Sequence, residues 1–256
     1  MKRIRVIPTL LIQNGGLVKS IKFNDHKYVG DPINAVKIFN EKEVDEILIL
    51  DISATVERKA PNISTIKEIA SEAFMPLGYG GGITKLEEIK ALIASGVEKV
   101  VLNSSAFENP KLVSDSAAYV GSQSIVVSID VKKTIWGKLK VFIHNGSKNT
   151  NLDPIDYARQ IQRAGAGEIL LNSIERDGTF GGYDTELIKS VSSAVGIPVV
   201  AVGGAAKVDD FVKAVQSGAS AVSAGSMFVF QLPHRAVLIS YPTQKELKEK
   251  LFLQVK

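Results

Sequence analysis

Eight short apolar runs punctuate the chain, at residues 6–12, 47–50, 75–79, 100–102, 124–129, 169–171, 198–202 and 219–223. They are rich in β-branched residues and nearly continuous rather than alternating, the pattern of parallel strands covered on both faces. Longer amphipathic stretches follow each run, at 32–40, 63–73, 86–95, 110–119, 154–164, 185–195, 208–217 and 244–252. Their apolar residues fall three and four apart, as on one face of a helix. Eight strands alternating with eight helices predict an α/β protein with one (β/α)8, or TIM, barrel over residues 1–256. Helix ends agree. Asp31-Pro32 and Asn109-Pro110 place a capping residue before a proline suited to the first helical position, and Gly96, Gly165 and Gly218 follow helical stretches where a left-handed residue is needed.

The pattern repeats. Gly80-Gly81-Gly82 after the third strand matches Gly203-Gly204 after the seventh, Leu50-Asp51-Ile52-Ser53 matches Leu171-Asn172-Ser173-Ile174, and Asn103-Ser104-Ser105 matches Ala224-Gly225-Ser226, at offsets of 121 to 123 residues. Two fused half-barrels, about 1–122 and 123–256, are expected. Two segments interrupt the alternation. Residues 13–30 read as a long connection and candidate lid carrying Gly15, Gly16 and Lys19, and residues 132–149 contain a hairpin pairing 135–139 with 141–143.

Composition narrows the chemistry. There is no cysteine, so thiolate chemistry and disulfides are excluded, and the histidines His26, His144 and His234 lack metal-ligand spacing. No metal site and no cofactor are expected. The basic, apolar start is short and runs into Gln13-Asn14, so it reads as a strand rather than a signal peptide. With no apolar run of membrane-spanning length, a cytoplasmic protein without a membrane partner is expected. The net charge of +4 suits an anionic ligand. Lysines spread along amphipathic segments read as ordinary surface charge rather than a nucleic-acid interface.

In such barrels the chemistry sits at the C-terminal ends of the strands. Gly80, Gly81 and Gly82 with Asn103 and Ser104 form one candidate phosphate site, and Gly203 and Gly204 with Gly225 and Ser226 form another, because glycine lets backbone N–H groups approach an oxyanion. The plainer reading of each cluster is a tight turn. Asp51, Asp130, Asn172 and Asp177 lie at the same ends. Asp130 closes the apolar run of strand five, where partial desolvation raises a carboxyl toward neutrality, and it is the candidate general acid/base; a turn cap is the alternative. At the opposite ends Arg5, Glu46, Lys99 and Glu168 stand at the starts of strands one, two, four and six, where two cations and two anions suit a neutral ring. For any one of them alone, solvated charge is the simpler reading.

The segments GYGGGI, SIDVK, SIERDGTFGGYD and VGGA, together with DPINAVKIFNEKEVDEILILDISATVE and EKVVLNSSAFENP, resemble the cyclase subunits of imidazole glycerol phosphate synthase over about residues 4–230. The resemblance implies a separate glutaminase subunit docked on the barrel bottom. Its ammonia would pass through the barrel to a bisphosphorylated substrate, where two aspartates act as acid and base. It makes Arg5, Glu46, Lys99 and Glu168 the ammonia gate and places Glu98 on the partner face. Asp130 matches one catalytic aspartate and Lys19 the mobile-loop lysine, while Gly82, Asn103, Asp177, Gly178, Gly204, Gly225 and Ser226 match the phosphate sites.

One departure stands out. The family pattern C-L-D-V-K-D-G in strand one reads here Thr9-Leu10-Leu11-Ile12-Gln13-Asn14-Gly15, so leucine occupies the position of the other catalytic aspartate. The tail RAVLISYPTQKEL resembles paralogues encoded with surface-polysaccharide enzymes, thought to help convert an acetamido group on a sugar to acetamidino. That implies a synthase subunit feeding ammonia to a phosphorylated or nucleotide-linked sugar in lipopolysaccharide synthesis. Nothing in the chain resembles an ATP site, so a third, ATP-dependent amidotransferase supplies activation. A lyase-type cyclase of histidine biosynthesis and a non-catalytic subunit that docks or activates the glutaminase are the other readings.

Overall fold

The computed structural model describes residues 3–255. Its eight barrel strands are β1 (Arg5–Gln13), β2 (Ile47–Asp51), β3 (Leu77–Gly80), β4 (Lys99–Leu102), β5 (Ile125–Lys133), β6 (Glu168–Ser173), β7 (Val199–Val202) and β8 (Ala221–Ala224). All neighbours are parallel, and β8 pairs with β1 with Val6 opposite Val222, so the sheet closes on itself. The helices between strands are α1 (Pro32–Glu41), α2 (Ile63–Glu72), α3 (Leu86–Ala94), α4 (Pro110–Val120), α5 (Pro154–Arg163), α6 (Thr185–Ser192) and α7 (Val208–Gln216). A short α8 (Gln244–Leu247) continues into a π turn over Lys248–Phe252 where a regular helix is predicted.

Two cores follow from strand geometry. Successive side chains of a strand point to opposite faces, so one set meets the helices and the other fills the barrel. Phe39, Ile89, Val113 and Phe211 belong to the outer core; Ile7, Leu48, Val101, Val126, Leu170 and Val200 pack inside. The helix ends are fixed locally. Asp31 Oδ1 accepts the Asn34 N–H at 2.8 Å, whereas Asn109 makes no side-chain cap and leaves the start of α4 to its proline. Gly96, Gly165 and Gly218 all adopt the left-handed conformation their positions require.

The two irregular segments differ from expectation. The connection over 13–30 is a hairpin of strands Gly16–Ile21 and Asn24–Gly30, the first antiparallel to β1 with Leu11 opposite Val18. The sheet's own hydrogen bonds extend β1 outward, which an absence of strong alternation over 22–30 does not reveal. In the second segment β5 itself runs on to Lys133 and pairs with Leu139–Ile143, so 135–139 is not a strand partner of 141–143. Residues 135–138 instead form the turn, closed by the Thr134 N–H donating to the Lys138 carbonyl at 2.8 Å.

Candidate active site

The same two-residue period that builds the inner core stacks three kinds of side chain along the barrel axis. Strand by strand the inward positions read Arg5–Ile7–Thr9–Leu11, Glu46–Leu48–Leu50, Lys99–Val101–Asn103 and Glu168–Leu170–Asn172. Charge lies at the bottom, an apolar layer in the middle and mainly polar groups at the top.

At the bottom the four charges meet as a ring. Lys99 Nζ lies 2.9 Å from Glu46 Oε2 and 2.8 Å from Glu168 Oε2. Arg5 Nη1 reaches Glu46 Oε2 at 2.5 Å, and its other nitrogen pairs with Glu168 Oε1. Both carboxylates are buried. Each is held between two cations, the condition under which buried charge is tolerated. Burial opposes the Arg5 cation, but the hydrogen bonds and charges of Glu168 and Glu46 outweigh it and raise its pKa. Glu98 is exposed at this end, its N–H bonded to the Leu77 carbonyl at 2.8 Å.

At the top lies a cavity of about 890 Å³. Among the residues lining it are Leu11, Lys19, Asp51, Gly81, Gly82, Asn103, Ser104, Asp130, Asn172, Asp177, Gly225 and Ser226, so the structure gathers most of the expected top-face residues around one space. A side niche bounded by Asp177, Gly178, Gly203, Gly204, Gly225 and Ser226 adjoins it.

Asp130 is buried on the inner face of β5, opposite Asn172 in register. Ser128 Oγ donates to its Oδ1 at 3.3 Å and Asn103 Nδ2 to its Oδ2 at 3.1 Å. Burial pushes the Asp130 carboxyl up to about 7; the charge of Asp177 adds to this, while hydrogen bonds from Ser128, Asn172 and Asn103 hold it back. A carboxyl balanced there exchanges a proton readily at neutral pH. Asn172 Oδ1 is buried and has no partner. A buried acceptor left unmade is costly, and in a cavity wall it is a waiting contact for a donor on a ligand.

Lys19 is buried on the hairpin strand that folds over the mouth, and its ammonium donates to the Thr9 carbonyl at 2.6 Å. Burial lowers its pKa, opposed by the charge of Asp177; burial raises that of Asp177, opposed by Lys19 and the Ser20 hydroxyl. The hairpin rests on the loop after β6, where the Lys22 N–H donates to the Asp177 carbonyl at 2.9 Å.

Some expected residues have structural duties. Asp51 Oδ1 accepts from the Ser53 N–H, the Ser53 hydroxyl and the Ala54 N–H, so its carboxylate caps the turn after β2. Ser104 Oγ accepts the His144 N–H at 3.0 Å and ties down the hairpin after β5. Two features escaped the sequence reading. Ser128 stands two residues before Asp130 and therefore on the same face, a signal present in the sequence. Thr9 and Ser223 bring their hydroxyls within 2.5 Å across the β1–β8 seam, a contact between residues too far apart for any local pattern to show. Among the described residues no cluster of three or more histidine, aspartate or glutamate side chains forms a metal site.

Such a molecule is a closed (β/α)8 barrel with a charged floor and a polar, glycine-walled mouth. The chain belongs to the histidine biosynthesis protein family, whose model matches residues 5–232. It is 51% identical over 254 residues to the "Putative imidazole glycerol phosphate synthase subunit HisF" of Leptospira interrogans, covering 98% of this chain and 100% of the relative. It is 49% identical over 248 residues to the Pseudomonas aeruginosa protein called "Putative imidazole glycerol phosphate synthase subunit hisF2", covering 96% and 99%. The "Imidazole glycerol phosphate synthase subunit HisF" of Alkaliphilus metalliredigens is 43% identical over 225 residues, covering 88% and 89%.

Proposed function

We propose that this chain is the ammonia-accepting, cyclase-type synthase subunit of a glutamine-dependent complex, acting on a phosphorylated substrate at the barrel mouth. The observation that carries this is the axial stack. The Arg5–Glu46–Lys99–Glu168 ring is a charged layer on the axis below the apolar one, and the cavity around Asp130 lies above it. Neutral ammonia crosses an apolar layer at little cost, whereas ammonium would lose its hydration there. The ring therefore acts as the entrance, opening when a glutaminase docks against the face that carries Glu98.

At the mouth, Asp130 takes a proton from the incoming nitrogen and returns it to the leaving oxygen. The glycine clusters hold phosphate groups by backbone N–H, at Gly81 and Gly82 with Asn103 and at Gly178, Gly203 and Gly204 with Gly225 and Ser226. Lys19 and Asn172 close on the substrate from the hairpin and from β6. Purified protein supplied with ammonium chloride and the bisphosphorylated ribulosyl intermediate is expected to form imidazole product, and Asp130→Asn to slow it by about 10²–10⁴. Failure to turn over that intermediate with saturating ammonium would overturn the cyclase part of the reading.

Leu11 favours a second reading. Its side chain lines the cavity and carries no proton, so a ring closure that needs two acid/base groups is slowed, while delivery of ammonia to another acceptor is not. The acceptor would be an acetamido sugar activated by a third, ATP-dependent protein. Glutamine-dependent amidation of such a sugar in the complete system, lost on disrupting the charged ring and retained with Asp130→Asn, distinguishes this reading from the first.

A further inference from the structure

Lysine is not evenly dispersed, as the sequence pattern suggested. Residues 131–152 contain Lys132, Lys133, Lys138, Lys140 and Lys148 and no aspartate or glutamate, so this segment alone is more positive than the whole chain at +4. Folding concentrates the charge further. Lys132 lies directly opposite Lys140 in the antiparallel pair, and like charges so placed are destabilising. Lys148 approaches Glu108 at 3.8 Å; the other four make no ion pair among the described residues. At the tip between them Ile135 is 94% and Trp136 82% exposed. The turn is closed by two backbone hydrogen bonds of 2.8 Å, Thr134 N–H to Lys138 carbonyl and Gly137 N–H to Thr134 carbonyl. The two apolar side chains are thus held outward rather than left to collapse onto the barrel.

We propose that this hairpin docks the protein on an anionic phospholipid surface, with Ile135 and Trp136 entering the headgroup region and Lys132, Lys133, Lys138 and Lys140 meeting lipid phosphates. Three features select that occupant. Tryptophan partitions to the membrane interface, and each nearby lysine adds to the attraction without any shape match. Two side chains are far below the roughly 1,000 Å² that a stable protein–protein contact needs. The more exposed of them, Ile135, offers nothing to a stacked nucleobase. No helix of the described residues is long and apolar enough to cross a membrane, so the contact is peripheral. Because the hairpin prolongs β5 beyond Asp130, docking turns the mouth of the barrel toward the lipid.

Trp136 is the chain's single tryptophan, so its fluorescence reports on the tip alone. Vesicles of phosphatidylglycerol and phosphatidylethanolamine are expected to shift its emission to the blue and to sediment the protein; phosphatidylcholine vesicles are not. Salt near 0.5 M abolishes the effect by screening. Replacing Lys132, Lys133, Lys138 and Lys140 by glutamine weakens partitioning about fivefold per lysine, and Ile135→Ser weakens it further, with circular dichroism unchanged. Absence of sedimentation with anionic vesicles at low salt overturns the proposal. So does binding undiminished in the lysine variant, or an equal blue shift with a single-stranded oligonucleotide in place of lipid.

Discussion

Lys99 Nζ lies 2.8 Å from Glu168 Oε2 across the barrel floor, joining residues 69 positions apart. Glu168 also accepts from Arg5, so a single carboxylate holds half the ring. Removing one partner of a buried pair leaves the others uncompensated, at a typical cost of about 3–5 kcal/mol. Arg5 and Lys99 retain some contact with solvent, so Glu168→Ala is expected near the lower end, about 3 kcal/mol. Urea unfolding at neutral pH measures it; a loss under about 1 kcal/mol would mean the ring carries little of the fold.

Asp130 makes stability depend on pH in an unusual direction. Its carboxyl has an ordinary value of 3.8 and is raised to about 7 in the fold. Between those values the folded chain keeps a proton that the unfolded chain has lost, so stability falls as pH rises from about 4 to about 7 and is level above. Three units correspond to about 4 kcal/mol. Asp130→Asn, which cannot ionise, should match the parent at pH 4 and resist denaturant better at pH 8, while catalysis falls by about 10²–10⁴. Unfolding curves of the two proteins at both pH values test the sign.

The barrel and its strand-end residues were legible because both rest on local periodicity. Continuous apolar runs mark strands, and the turn glycines mark strand ends. The charged ring was legible as two cations and two anions at strand starts suited to a neutral ring, but not which cation meets which carboxylate, since closure of the sheet is what brings Arg5 to Glu168. The hairpin carrying Lys19 was not legible as strands. Only two of the seven residues in Asn24–Gly30 are other than exposed, so almost no burial pattern is written into it. That Lys132 stands opposite Lys140 depends on register, and the sequence pattern placed the turn after residue 139 rather than at 135–138.

Leu11 offers the reverse experiment to the loss of Asp130. It lies on the inner face of β1 beyond Thr9, whose carbonyl holds the Lys19 ammonium. A carboxylate placed there is partly desolvated but has a nearby cation. Leu11→Asp is therefore expected to fold, and to raise imidazole formation from the bisphosphorylated ribulosyl intermediate and ammonium by about 10²-fold or more. Steady-state assays of parent and variant at saturating ammonium decide it. No gain would mean that Leu11 is matched by further changes at the mouth.

Gly178 fixes how closely the Lys19 hairpin lies on the barrel. Its φ is +69°, and a Cβ added there would stand 2.1 Å from the Ser20 carbonyl oxygen, a backbone atom that cannot swing aside. Gly15, in the turn before the same hairpin, has φ of +80° and open space around it. Alanine costs about 1 kcal/mol at either position for the left-handed backbone alone. At Gly178 the contact adds to this, and the total is expected at about 2–3 kcal/mol. The extra loss has a location: relieving the clash lifts Ser20 and with it Lys19 from the Thr9 carbonyl. Gly178→Ala should therefore show faster proteolysis within residues 16–30 and weaker binding of inorganic phosphate, and Gly15→Ala neither. Equal melting temperatures and equal proteolysis in the two variants would show that the hairpin does not depend on this approach.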